Sequence, residues 1–241
     1  MDHRFLLESL LQRWDRRASI PKEDKDALIG LPWSHRTFGR DAYLVREGEP
    51  TSVCTLLISG FAFRQKLVNH GARQIISFHI PGEFLDVQNC LLDIADHNVQ
   101  ALTRIGVATV QKSALIELMG SRPKIRRAIW LDSLIDSSIF REWVVNLGRR
   151  DARARIAHLL CEIAERLKDA GLADGEAFEF PVTQEQIADA TGLTAVHTNR
   201  TLQSLRKDGL ISLSSSRLAI LDWDALCEVG DFNERYLHHS D

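Results

Sequence analysis

The sequence has no Cys-x-x-Cys pair: Cys54, Cys90, Cys161 and Cys227 are scattered along its 241 residues. Such spacing argues against a zinc site and against a disulfide framework, and reads these residues as small apolar core groups. Long hydrophobic runs are missing as well. No stretch approaches the ~20 consecutive apolar residues of a membrane-spanning helix, and no N-terminal segment joins a basic end, an apolar run and a small-residue cleavage site. A cytoplasmic protein without a membrane partner is expected. There is no Gly-x-Ser-x-Gly elbow, no Gly-x-x-x-x-Gly-Lys loop and no His-Glu-x-x-His pair, which removes the common hydrolase, nucleotide-binding and metalloprotease signatures. A positive charge excess is lacking too. The formal net charge of −3 excludes a global electrostatic funnel for polyanions and leaves any nucleic-acid binding to a local basic strip. The apolar content of 44% suffices for ordinary cores in one or two domains.

What is present is concentrated in residues 182–207, VTQEQIADATGLTAVHTNRTLQSLRK. Thr183 followed three residues later by Gln186 has the form of a capping box at a helix start. Gly192 suits a tight turn between crossing helices, and small Ala188 lets them approach. Thr194 is a fitting N-cap for a second helix, in which Thr198, Thr201, Leu202 and Leu205 form one buried stripe. Ala195, Val196, His197, Asn199 and Arg200 are then left outward. Leu210 to Leu213 and Leu218 to Leu221 read as two short strands joined at Ser214-Ser215-Ser216-Arg217. That is a helix-turn-helix with a wing, and from Gly192 to Arg217 it carries four basic residues against one acidic. The plain alternative is an αα-hairpin with a glycine turn, which many proteins use without touching DNA.

Upstream, an amphipathic helical start containing FLLESLLQRW precedes Pro21 and a short helix near Lys22 to Gly30. From Arg40 to about Gln111 the runs VCTLLI, FAFRQKLV, RQIISFHI, NVQALT and GVATVQ alternate as strands do. Turn signals divide them at Glu47-Gly48-Glu49-Pro50, Ser59-Gly60, Asn69-His70-Gly71 and Pro81-Gly82-Glu83. An all-β sandwich or β-roll is the simplest account. Residues 123–148 form a long helix without internal Pro or Gly. One stripe holds Ala128, Leu131, Ile135, Ser138 and Val145, and a second holds Trp130, Leu134 and Val144. That is more apolar surface than one domain covers. A dimer seam including Trp130, Leu131, Leu134, Ser138 and Val144 accounts for it, small Ser137 and Ser138 allowing close contact. A helix wedged between two domains of one chain is the alternative. Asp151 can cap a further helix, Ala152 to Ala170, that stops at Gly171.

In this order the parts resemble the Crp/Fnr family of bacterial transcription regulators. The resemblance rests on Gly48, Gly60 and Gly71, the Pro81-Gly82-Glu83-Phe84 turn, the long helix, Arg155-Ile156-Ala157 and the helix-turn-helix from Thr183 to Leu205. It implies an α+β protein with three parts: a cyclic-nucleotide-binding-like β-roll (jelly-roll) sensor domain over 1–121, a dimerisation helix and hinge over 122–150, and a winged helix-turn-helix over 151–241. It further implies a homodimer on a pseudo-palindromic double-stranded operator, with RNA polymerase as a partner and a small-molecule effector.

Several family residues are replaced. Where cyclic-AMP-binding members carry a ribose-binding glutamate and an Arg-Ser pair for the phosphate, this sequence has Val87 and His97-Asn98. Valine cannot accept the ribose hydroxyls, and a neutral histidine is no fixed bidentate cation. Cyclic-nucleotide binding is therefore not expected, and Val87, His97 and Asn98 stay as candidates for another effector. No cysteine precedes Cys54, so the family's iron–sulfur cluster has no ligands. Gln88 stands where the carbon monoxide sensor has its haem histidine, although His79 and His97 flank the region. No cofactor and no metal is expected. In the second helix of the motif Ala195 and Val196 replace the usual Arg and Glu, while Arg200 keeps one guanine contact. Val196 can pack on a thymine methyl, and His197 or Asn199 can reach a base edge or a phosphate. Thr183, Thr194 and Arg217 are assigned to phosphates. The competing reading is a β-roll metabolite-binding or cupin-like enzyme module without DNA binding, but His35, His70, His79 and His97 do not make the close His-x-His set such an enzyme needs.

Overall fold

The computed structural model describes residues 3–69, 71–173, 177–214 and 216–239. His70 and Ser215, named above in turns, lie outside them. Two compact units emerge: one reaches to Gln65 and resumes over Phe78–Ser137, the other comprises Lys66–Ser77 and Ser138–His239.

The N-terminal unit begins with α1 (His3–Ala18) and α2 (Lys22–Ile29). The strands in this part of the chain are β1 (Ser34–Phe38), β2 (Tyr43–Val45), β3 (Val53–Ser59), β4 (Ala62–Leu67), β5 (Arg73–His79), β6 (Asn98–Ala101) and β7 (Ile105–Gln111), with the end of β4 and most of β5 counted in the second unit. A 3₁₀ turn, Val87–Cys90, lies between β5 and β6, and α3 (Lys112–Ser121) follows β7. One sheet has the order β1-β7-β3 and the other β2-β6-β4-β5. Strands β3 and β7 are apolar on both faces because each face meets a separate core. Leu57 and Val107 point between the sheets with Val45, Leu85, Val99 and Ile105. Their neighbours Leu56 and Ala108 point the other way, under Leu7, Leu10, Trp14 and Leu115 of the helices. Period-two alternation thus serves two apolar layers. Gly82 has φ +90°, and a Cβ there would stand 3.0 Å from the Cβ of Ser9. Only glycine allows this turn to press against α1 while Phe84 stacks on Trp14 at 6.3 Å between centroids.

Helix α4 (Pro123–Arg149) runs 27 residues. The C-terminal unit then adds α5 (Ala152–Asp169), β8 (Ala177–Glu179), α6 (Gln184–Thr191), α7 (Ala195–Lys207), β9 (Ile211–Ser214), β10 (Arg217–Ile220), α8 (Trp223–Gly230) and a 3₁₀ turn, Glu234–Leu237. Its sheet is antiparallel in the order β8-β10-β9. Asp151 caps α5 by accepting from the Ala154 N–H at 2.9 Å. Helix α5 is buried without a break from Ile156 to Leu167, so it forms the axis of the unit. The fully buried Glu162 carboxylate on it accepts from Trp143 Nε1 of α4 and from the Tyr236 hydroxyl, each at 3.0 Å, and from Arg166 at 3.2 Å. Burial pushes the Glu162 carboxyl above its ordinary range, and these donors pull it back.

Candidate nucleic-acid interface

The helix-turn-helix forms through interactions local in sequence. Thr183 Oγ1 accepts from the Gln186 N–H at 3.2 Å, and Gln186 Oε1 accepts from the Thr183 N–H at 2.9 Å, closing the expected capping box. Gly192 ends α6 with φ 65° and its N–H bonded to the Ala188 carbonyl, the left-handed C-cap that a side chain would strain. Thr194 Oγ1 accepts from the His197 N–H at 3.2 Å and starts α7. Each cap of this kind is worth about 1 kcal/mol.

Helix α7 buries Thr198, Thr201, Leu202 and Leu205. The opposite face exposes Val196, to 72%, together with His197, Asn199 and Arg200. None of the three polar side chains has an internal partner among the described residues. An apolar side chain of this exposure at the start of a helix, followed by uncommitted polar groups, is a surface suited to a second molecule. Beside it lies a hollow of about 450 Å³ where α7 passes the start of α5, flanked by Arg153, Arg200 and Ser204. Arg153 pairs with Asp208 at 2.7 Å and donates to Ser204. In the sequence it looks like one more charge after Arg149, Arg150 and Asp151. Arg217, exposed on β10 opposite Ser214, reaches among the described residues only the Ala177 carbonyl at 3.5 Å. Arg206 and Lys207 extend the basic strip along the end of α7.

The effector candidates in the N-terminal unit are built differently. Val87 packs half-buried against the helical core. His97 is buried, with Nδ1 on Asp96 Oδ1 at 2.6 Å and Nε2 on Gln88 at 3.3 Å. Burial, and then the Arg64 charge, push its pKa down, so the ring is neutral. Asn98 Oδ1 accepts from the Glu47 N–H at 3.1 Å. The Gln88–His97 bond brings these positions together, but their polar atoms serve the fold. The buried cation here is Arg64, which donates to Asp136 Oδ2 at 2.8 Å and to the Leu85 carbonyl at 3.2 Å. Its place in the alternating FAFRQKLV run suggests solvent, whereas β4 is covered on both sides there. Among the described residues no group of three or more His, Cys, Asp or Glu side chains converges as metal ligands would.

On α4, Trp130, Leu134 and Val144 are exposed to 57%, 58% and 68%, and Leu131 is half-buried. Ser138 departs from expectation. It is buried, and its hydroxyl accepts from Arg141 and meets His238 Nε2, so it offers no free surface. Val145, placed on the covered stripe from sequence, is 44% exposed. The exposed positions 130, 134, 137, 141, 144 and 148 alternate steps of four and three, the spacing of a coiled-coil seam. Ser137 and Gly148 are the small residues on that line.

Comparison with known proteins finds two matched segments along the chain. Residues 35–122 match the cyclic nucleotide-binding domain and residues 154–229 the Crp-like helix-turn-helix domain. Over 204 residues the chain is 28% identical to the transcriptional activator protein FnrL of Cereibacter sphaeroides, covering 82% of this chain and 81% of that relative. It is 27% identical to the nitrogen fixation regulation protein FixK of Azorhizobium caulinodans, covering 87% and 85%. The structure of FixK2 from Bradyrhizobium japonicum superposes with a TM-score of 0.75 at 23% identity, covering 83% of this chain and 98% of that one, and shows the shared fold. No helix among the described residues is long and apolar enough to cross a membrane.

Proposed function

Since the chain belongs to the Crp/Fnr family of DNA-binding transcription regulators, we propose that it acts as a cytoplasmic homodimer. Its two α7 helices would enter successive major grooves, about 34 Å apart, of a pseudo-palindromic operator. The observation that carries this reading is the outer face of α7, where Val196, His197, Asn199 and Arg200 stand exposed with no polar side-chain partner among the described residues. Arg200 reads the O6 and N7 acceptors of a guanine and Val196 packs on a thymine methyl, while His197 and Asn199 reach neighbouring edges. Thr183, Thr194 and Arg217 hold phosphates and set the register. The exposed line Trp130, Leu134 and Val144 supports pairing of α4 with its copy, which also supplies the second reading head. RNA polymerase is the partner of such a bound dimer.

The effector of the N-terminal unit is not a cyclic nucleotide in this reading. Val87 accepts no hydrogen bond from ribose, His97 is neutral and already bonded, and Asn98 is held by Glu47. Selection of bound sequences from random DNA, followed by gel retardation at several salt concentrations, tests the main proposal. A two-fold-related site recovered in every round is the expected result. Recovery of no sequence above background would overturn it. Isothermal calorimetry with cyclic AMP and cyclic GMP tests the second part, with no heat of binding at micromolar ligand expected.

A further inference from the structure

The four scattered cysteines meet in two pairs. Cys161 on α5 and Cys227 on α8 bring their sulfurs to 3.9 Å. Cys54 on β3 and Cys90 at the end of the 3₁₀ turn are much closer, with Sγ atoms 2.9 Å apart, against ~2.05 Å in a disulfide. The backbone around this second pair is already in register. The Leu85 N–H donates to the Thr55 carbonyl at 2.8 Å, and the Thr55 N–H donates to the Asp86 carboxylate at 2.7 Å. A bond between the sulfurs would need side-chain rotation and little movement of the chain. Both cysteines are buried, and the residue that follows Cys90, Leu91, is 71% exposed.

The two pairs also differ in reactivity. Cys54 and Cys90 share one hydrogen bond, which pushes the Cys54 thiol up and draws Cys90 below the ordinary thiol range. The Lys112 ammonium, held by the Leu92 carbonyl and Asp93, favours the Cys90 anion further. The shared hydrogen bond therefore favours the anion on Cys90 and leaves the proton with Cys54, the division found in reactive dithiols. Burial pushes both Cys161 and Cys227 up, which disfavours the thiolate at either.

We propose that Cys54 and Cys90 form a redox-active dithiol that a hydroperoxide closes to an intramolecular disulfide and a thiol reductant reopens. The Cys90 thiolate attacks the hydroperoxide: the S–O bond forms, the O–O bond breaks, and the departing oxygen takes a proton from solvent. Cys54 then attacks the sulfur of the Cys90 sulfenic acid. The S–S bond forms, the S–O bond breaks, and the Cys54 proton leaves with the hydroxide as water. Two thiols lose two electrons in all, and one hydroperoxide becomes an alcohol, or water when the oxidant is hydrogen peroxide, plus one water. This chemistry does not depend on DNA binding.

The test uses the full chain treated with stoichiometric hydrogen peroxide, alkylated, and mapped by mass spectrometry without reduction. Loss of two of the four free thiols, a linked peptide joining Cys54 to Cys90, and recovery of all four thiols with dithiothreitol are expected. A C161A/C227A variant should lose the same two thiols. Dimedone should trap a sulfenic acid on Cys90 in C54S and none on Cys54 in C90S. Absence of the linked peptide from the wild type, or linkage of Cys161 to Cys227 alone, would overturn the proposal. Equal dimedone labelling of both single variants would overturn the assignment of Cys90 as nucleophile. The wild-type map needs no substitution, so a variant that fails to fold does not obscure the answer.

Discussion

The outer face of α7 and the interior of the N-terminal unit use their polar side chains in opposite ways. On α7 of the C-terminal unit, the His197, Asn199 and Arg200 side chains face solvent with no partner among the described residues. In the N-terminal unit Arg64, Asp86, His97 and Asn98 are buried and bonded to Asp136, Thr55, Asp96 and Glu47. The first arrangement keeps hydrogen-bonding capacity for another molecule. The second has used that capacity to hold strands, turn and helix together. Substitution on α7 should therefore change recognition and leave stability alone, while substitution in the buried set should do the reverse.

The largest effect is expected at Arg64. Arg64→Ala leaves Asp136 and the Leu85 carbonyl without their donor and should cost about 2–4 kcal/mol in chemical denaturation. That is less than for a fully enclosed pair, since the Asp136 side chain keeps 37% of its exposure. An unchanged midpoint would erase the contrast between the units. A pH series sharpens it. Burial raises the Asp86 carboxyl from 3.8 to about 7, although Thr55 and Arg64 oppose the shift. The fold prefers its protonated form, so this contribution is complete below pH 3.8 and is lost as pH rises through about 7. His158 has the opposite sign. Burial, and then Arg150, lower it from 6.5 to about 4, so its contribution is present above pH 6.5 and is lost as pH falls through about 4. Between those limits Asp86 weakens the N-terminal unit with rising pH and His158 strengthens the C-terminal one, against contributions of opposite sign from His97 and Glu162. Hydrogen exchange read separately on β3 and on α5 checks this, and Asp86→Asn should flatten the first trend alone.

Smaller effects belong to the exposed face. Arg200→Ala should cost about 1–3 kcal/mol of operator binding and relax preference at one symmetric base pair. Its unfolding midpoint should stay within about 0.5 kcal/mol of wild type. An unaltered ranking of operator variants would mean that α7 is docked in another way. Least is expected of Arg217→Ala, which should weaken all sequences alike and reduce the salt slope by about 1. A change in base preference there would move the wing from phosphate to base contact.

Features set by neighbours in sequence were legible without a structure. The Thr183–Gln186 box, the Gly192 turn, the Thr194 and Asp151 caps and the buried stripe of α7 all depend on residues within about one helical turn of each other. The N-terminal strands beyond β2 were visible through alternation. Strand β1 was not, because four of its five residues are exposed and it exists only through pairing with β7. Strand β8 likewise needs β10 beside it. Helices α3 and α8 were missed as well; α8 is short, although its Asp222 cap, accepting from the Ala225 N–H, was a usable signal. The burial of Arg64 against Asp136, the covering of Ser138 by His238 and the meeting of Cys54 with Cys90 join residues 72, 100 and 36 positions apart. Local propensity acts over a few residues. Which distant side chains come into contact is decided only when the strands choose their partners and the helices their faces.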